Sequence, residues 1–73
     1  MELTRVKQNM GRFVTRKGAG GIYRLTGCIL RKSDKGEFLY QAELLDIRHG
    51  NSVVICALDD VEKGEDQNGR TNL

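Results

Sequence analysis

Apolar and polar residues alternate with a period of two along much of the chain, in runs separated by glycine-containing breaks. Such alternation is typical of β-strands that bury one face. The predicted strands span residues 11–17, 21–32, 37–48 and 52–58. The breaks lie at residues 18–21, 33–36 and 49–52. With no proline in the chain, turns must be formed by Gly, Asn, Asp and Ser.

The third and fourth runs carry the clearest strand signals. In the third run, alternation places Phe38, Tyr40, Ala42 and Leu44 on one face. The fourth run is continuously apolar and rich in β-branched residues. That pattern predicts a central strand buried on both faces.

The second run has a glycine within its apolar stripe. Simple alternation puts Tyr23, Leu25, Gly27 and Ile29 on the same face. A glycine inside a strand often marks a bulge or a sharp bend, and Gly27 is predicted to do so here. The opposite face is partly apolar, which suits a strand in a small barrel.

These strands predict an all-β fold, namely a small SH3-like barrel of four to five antiparallel strands. Long strands in a chain of 73 residues favour curling, because curling hides the sheet edges. The alternative is a three- or four-stranded sheet covered by an N-terminal helix. The SH3-like comparison rests on strand number, strand length and turn spacing, and it carries no function by itself.

The N-terminal segment has a different periodicity. Leu3, Val6 and Met10 have helical spacing, so we predict a short helix or an irregular lead-in for residues 1–10. An extended strand is the alternative.

The C-terminal end is polar. Asp59 is predicted to cap one helical turn over residues 59–62. Residues 63–73 contain no apolar side chain before the last residue. We therefore predict a single domain over residues 1–62 and a disordered tail over residues 63–73.

Length and composition exclude several classes of protein. The chain is long enough for one small domain with a modest core. It has no apolar run of the 18 or more residues that a membrane span needs, and its first residues are too polar for a signal peptide. We therefore expect a cytoplasmic protein without a membrane partner.

The residues that could carry catalysis or bind metal are few and scattered. Cys28 and Cys56 lie in apolar runs, so we expect two reduced, buried cysteines, with a disulfide between them as the alternative. His49 is the only histidine and lies in a turn. No ligand spacing, nucleophile–base pair or buried carboxylate pair is evident. We expect no enzymatic activity, no metal and no cofactor.

The net charge of +2 conceals an uneven distribution. Residues 1–36 carry nine basic and two acidic side chains, whereas residues 37–73 carry three basic and eight acidic ones. The two halves therefore have net charges of +7 and −5. This asymmetry is the main indication of a function.

The leading hypothesis is a binding module whose basic strand face contacts nucleic-acid phosphates. The predicted contacts are Arg12, Arg16, Lys17, Arg24, Arg31 and Lys32. Pairing of the first two strands would place Arg12, Arg16 and Arg24 on one face. The competing interpretation is neutralisation by acidic residues across the sheet, from Glu37, Glu43 and Asp46. Aromatic residues for base stacking are scarce, because the core also needs them.

A second functional hypothesis is a protein-interaction module or a homo-oligomer. It would use an exposed strand edge or the polarised charge of the two halves. The glycine break at residues 18–21 precedes a strand rather than a helix. It is therefore interpreted as a flexible hairpin connection and not as a nucleotide-binding loop.

Overall fold

The computed structural model describes residues 1–64, and five of their segments are extended. These are β1 (Phe13–Arg16), β2 (Ala19–Lys32), β3 (Phe38–Asp46), β4 (Ser52–Ala57) and β5 (Val61–Lys63). They form one sheet in the order β4-β3-β2-β1-β5, with every neighbouring pair antiparallel. The prediction of a mainly β fold with four to five antiparallel strands is confirmed.

The sheet is open, so the predicted SH3-like barrel is not confirmed. Within residues 1–64, β4 pairs only with β3 and β5 pairs only with β1. The two edge strands are joined by a single 3₁₀ turn, Leu58–Asp60, and they do not pair with each other. The sheet therefore has two free edges.

The N-terminal segment is helical, as its spacing predicts. A 3₁₀ turn, Leu3–Arg5, leads into a one-turn helix, α1 (Val6–Asn9). Of the three apolar residues with helical spacing, only Val6 is buried. No helix in the described part of the chain is long and apolar enough to cross a membrane.

The connection between β1 and β2 is shorter than the sequence predicts. Arg16 pairs with Ala19, which leaves only Lys17 and Gly18 in the turn. Gly18 has a φ of 72°, a left-handed conformation that two-residue hairpin turns use and glycine adopts freely. The rest of the predicted glycine break belongs to β2.

A bulge lies where Gly27 predicts one, and it reverses the faces of β2. Leu25 pairs with Leu44 and Gly27 pairs with Glu43, so Thr26 is the extra residue. Beyond the bulge, Cys28 lies on the core side of the sheet and Ile29 on the opposite side. The prediction that Ile29 shares the face of Leu25 is therefore wrong.

The predicted helical turn over residues 59–62 is confirmed only for Asp59 and Asp60. The 3₁₀ turn ends at Asp60, and Val61 begins β5. Val61 is almost fully buried, and the extended conformation lets it reach the core while its backbone pairs with β1. β5 extends through Lys63, which the sequence assigns to the tail, and Gly64 is also buried. Residues 65–73 of that predicted tail lie outside the described residues.

The core lies where the sheet has the most strands. It is formed by β2 and β3 together with residues of α1, β1, β4, β5 and the 3₁₀ turn Leu58–Asp60. Leu25 and Leu44 are directly paired and fully inaccessible to solvent. Around them lie Val6, Val14, Tyr23, Ala42, Cys56, Leu58 and Val61. The protein thus buries one face of the sheet and leaves the other, which we call the outer face, largely open.

β4 is not buried on both faces, contrary to the prediction from its apolar sequence. Cys56 is buried, but the exposed fractions of Val53 and Ile55 are 62% and 42%. The reason is that β4 is an edge strand, and nothing within residues 1–64 covers its outer face.

Both cysteines are free, as predicted, but only Cys56 is buried and Cys28 is half-buried. Cys28 and Cys56 are the two cross-strand partners of Ala42, one on each side of β3. Two strand spacings of about 4.8 Å separate their backbones by roughly 10 Å, beyond the roughly 7 Å that a disulfide can span. An intramolecular disulfide therefore does not fit this fold.

Candidate nucleic-acid interface

The central hairpin extends beyond the rest of the sheet. β4 pairs with residues 41–46 of β3, and β1 pairs with the first half of β2. Among the described residues, residues 30–32 and 38–40 therefore pair only with each other. We call this two-stranded hairpin, residues 30–40, the arm.

The turn of the arm is held by Ser33. Its side-chain oxygen accepts hydrogen bonds from the backbone N–H groups of Lys35 and Glu37. The Ser33 N–H donates to the Glu37 carbonyl at 2.7 Å. These hydrogen bonds close the turn and hold the ends of its two strands together.

The arm exposes aromatic and aliphatic side chains that the sequence assigns to the core. Phe38 is 64% exposed and Tyr40 is 42% exposed. They continue the face of β3 that carries Ala42 and Leu44, but the strand has passed the end of the core at this point. The sequence did contain a sign of this exposure. The second and third predicted strands are longer than the first and fourth, so their ends have no neighbouring strand to cover them.

The basic residues of β2 do not face acids across the sheet. Arg24 is paired with Leu45, Arg31 with Leu39, and Lys32 with Phe38. All three basic side chains are exposed. None of the three forms an ion pair with the residues that the structure describes. Within residues 1–64, the direct ion pairs of Arg24 or Arg31 with acids across the sheet are therefore not formed, and neutralisation over longer distances stays a prediction.

The acids of β3 have other partners. The Thr26 hydroxyl donates to a Glu43 carboxylate oxygen at 2.9 Å. Asp46 lies 2.9 Å from the exposed ring of His49. Thr26 in the bulge and His49 in the turn after β3 thus orient these two carboxylates. In the described part of the chain, neither carboxylate forms an ion pair with a basic side chain of β2.

Arg24 is positioned by an aromatic ring. Its guanidinium carbon lies 5.1 Å from the centre of the Phe13 ring, its cross-strand neighbour on β1. A cation–π contact of this kind restricts the side chain without neutralising its charge. Arg24 therefore presents its positive charge on the outer face, beside the Phe13 ring.

Arg16 lies on the other side of the sheet from Arg24. Its guanidinium carbon is 5.7 Å from the centre of the ring of Tyr23, which is paired with Val14. Phe13 and Val14 are consecutive in β1 and point to opposite faces. The prediction that Arg12, Arg16 and Arg24 share one face is thus wrong for Arg16.

The environment of Arg16 is that of a structural residue. A hydrogen bond with Tyr23 raises the pKa of the Arg16 guanidinium above its usual value, against the opposing effect of desolvation. The contact with the buried Tyr23 ring places the guanidinium beside the core. Arg16 therefore packs over one end of the core.

The other predicted contacts are spread along the sheet. Arg12 is exposed just before β1, and Lys17 is exposed in the β1–β2 turn. Arg31 lies on the outer face of the arm, and Lys32 lies on its opposite face beside Phe38. The structure therefore aligns the basic groups along β2 and does not gather all six in one cluster.

Replacing Arg16 with alanine is expected to lower the free energy of unfolding by about 1–2 kcal/mol, through loss of the Tyr23 contact and hydrogen bond. Arg31→Ala is the matched control, since Arg31 is exposed, and should change the free energy of unfolding by less than about 0.5 kcal/mol. Urea denaturation of both variants measures these effects. Equal stability of the two variants would contradict a structural role for Arg16.

A groove of about 340 Å³ lies between the N-terminal segment and the arm. Leu3, Phe38 and Leu58 contribute apolar surface to it, and Glu2 and Asp59 contribute acidic groups. The two carboxylates disfavour a phosphate in this groove. Phosphate contacts are therefore better placed on the outer face and along β2.

The described residues offer no other chemical centre. Within residues 1–64 no three side chains of His, Cys, Asp or Glu come together in a way that could hold a metal ion. Comparison of the chain with protein-family models, characterised proteins and solved structures finds no match.

Proposed function

We propose that this protein is a non-catalytic cytoplasmic binding module that contacts nucleic-acid phosphates through the basic side chains of β2. Arg24 and Arg31 on the outer face are the principal contacts, Lys32 adds positive charge from the opposite face of the arm, and Arg12 and Lys17 add positive charge nearby. The observation that carries the proposal is the pairing of Arg24, Arg31 and Lys32 with Leu45, Leu39 and Phe38 rather than with acids. Their charges are exposed and available for phosphate groups.

The physical basis of this binding is the release of counterions. Each phosphate that a protein cation neutralises frees condensed counterions, so affinity falls linearly with salt on a logarithmic scale. Contacts of this kind position a protein on nucleic acid but do not read its sequence. We therefore propose binding with little sequence preference.

The test is a salt titration of binding to a fluorescently labelled duplex oligonucleotide. The triple variant R24A/R31A/K32A should reduce the slope of log K against log salt by up to about 2.7, since each phosphate contact contributes roughly 0.9. Anisotropy between about 50 and 200 mM salt covers the range in which such binding weakens most.

The matched control removes the same charge from elsewhere on the surface. Arg5, Lys7 and Arg48 are exposed and lie outside β2, so R5A/K7A/R48A should retain most of the wild-type slope. Equal slopes for the two triple variants would show that net charge alone governs binding. Absence of binding by the wild-type protein at about 50 mM salt would refute the proposal.

A further inference from the structure

The two edges of the sheet differ in how they are protected. β5 is three residues long, and two of them, Glu62 and Lys63, are charged and exposed. Short length and charge are the usual means by which an edge strand avoids pairing with another chain. β5 therefore has the features of a protected edge.

β4 has none of these features. It is six residues long, with the sequence Ser-Val-Val-Ile-Cys-Ala, and carries no charge and no proline. Its backbone pairs only with β3 among the described residues. An unprotected strand of this kind presents a row of N–H and C=O groups that can template another strand.

The side chains of β4 add apolar surface beside this open edge. Val53 and Ile55 are 62% and 42% exposed on the outer face. Leu45, the partner of Val53 on β3, is half-buried on the same face. A strand added to β4 would thus gain both backbone hydrogen bonds and contact with Val53 and Ile55.

We propose that β4 pairs antiparallel with β4 of a second copy of this chain, forming a two-fold dimer with a continuous ten-stranded sheet. In such a dimer the same patch is used by both subunits. Opposed residues must lie on the same face, so their numbers differ by an even amount. With the axis at Val54, for example, Val53 of each copy lies opposite Ile55 of the other.

A second copy fits this edge because β4 is uncharged. Self-pairing places no like charges opposite one another, which is the usual penalty for pairing identical strands. The chain's own remaining segment, residues 65–73, is polar before its last residue. It therefore lacks the alternating apolar side chains that would match Val53 and Ile55.

The dimer also has a consequence for the outer face. An antiparallel edge pairing keeps the same face of both sheets on one side. Arg24 and Arg31 of the two copies would then lie on one surface, with the two β2 strands roughly 24 Å apart across five strand spacings. The dimer itself requires no nucleic acid, so it is tested independently of the function proposed above.

The experiment is sedimentation of the wild-type protein over a concentration series without nucleic acid, with V53K/I55K as the test variant. We expect the wild type to shift from monomer to dimer as concentration rises. With the axis at Val54, V53K and I55K bring like charges together across the axis, which should raise the dissociation constant at least about tenfold. Both side chains are exposed, so the thermal melting curve of the monomeric variant verifies that it folds.

The matched control is L30K/L39K, which places lysine at two exposed leucines of the arm. It should dimerise like the wild type. A wild-type protein that stays monomeric at all concentrations up to about 1 mM, which corresponds to an association free energy weaker than about −4 kcal/mol, would overturn the proposal. So would a dimer that survives V53K/I55K, a dimer abolished by L30K/L39K, or assemblies larger than two copies.

Discussion

Replacing Leu44 with alanine is expected to lower the free energy of unfolding by about 3 kcal/mol. Leu44 is inaccessible to solvent at the centre of β3. It is paired with Leu25 on one side and Val54 on the other. Truncation would leave a cavity that the paired strands cannot fill without breaking their register. A domain of this size has a total stability of roughly 4–10 kcal/mol, so the loss is a large share.

Equilibrium urea denaturation measures this effect, and Leu39→Ala is the matched control. Leu39 lies in the same strand, on the opposite face, and is 46% exposed. The same substitution there should change the free energy of unfolding by less than about 0.5 kcal/mol. Similar losses for the two variants would show that the core is not on the face of Leu44.

Gly64→Ala is the second substitution with a large expected effect, about 1–3 kcal/mol of destabilisation. A Cβ at this position would lie 2.6 Å from the carbonyl oxygen of Phe13 and 2.9 Å from its carbon. These are backbone atoms of β1, which accepts a hydrogen bond from the Gly64 N–H. The added methyl group must push β1 and the end of β5 apart.

Thermal melting of Gly64→Ala should be compared with that of Gly27→Ala. At Gly27, an added Cβ would lie 3.4 Å from the Glu43 Cβ, an ordinary van der Waals contact. Alanine there is expected to be neutral or slightly stabilising, because it restricts the unfolded chain. If the Gly64→Ala variant melts at the wild-type temperature, Gly64 does not pack closely against β1.

The alternation of apolar residues was sufficient to predict the local elements. It predicted four of the five strands, the helical N-terminal segment and the bulge beside Gly27. These features depend on residues that are close in sequence, namely side-chain periodicity and glycine positions. β5 was missed because three residues are too few to show a period, and Val61 is extended only because β1 lies beside it.

The exposure of Phe38 and Tyr40 shows where local pattern stops being informative. Their alternation with polar residues is the same as that of Ala42 and Leu44. Burial, however, depends on what lies above the strand, and the core ends before the arm begins. The same reason explains β4, whose apolar sequence is that of a central strand although it forms an edge.

The candidate site was predicted only as a list of basic residues. Sequence asymmetry identified the basic half, but the pairing partners of its members were not readable from local pattern. The bulge at Thr26 and the register of β2 with β3 determine that Arg31 meets Leu39 and that Lys32 meets Phe38. A register shift between Val14 and Arg16 sets Tyr23 opposite Val14, so Arg16 and Tyr23 come together on the core side.

The sequence by itself determined the mainly β character of this protein, its N-terminal helical turn and the charge difference between its halves, because each follows from composition or short-range periodicity. Tertiary structure alone decided that the sheet stays open, that the arm is exposed, and that the basic side chains of β2 form no ion pair within residues 1–64. Those outcomes depend on which strands become neighbours and in which register. The strand neighbours and their register are determined by burial of the whole core around Leu25 and Leu44, and no single segment determines them.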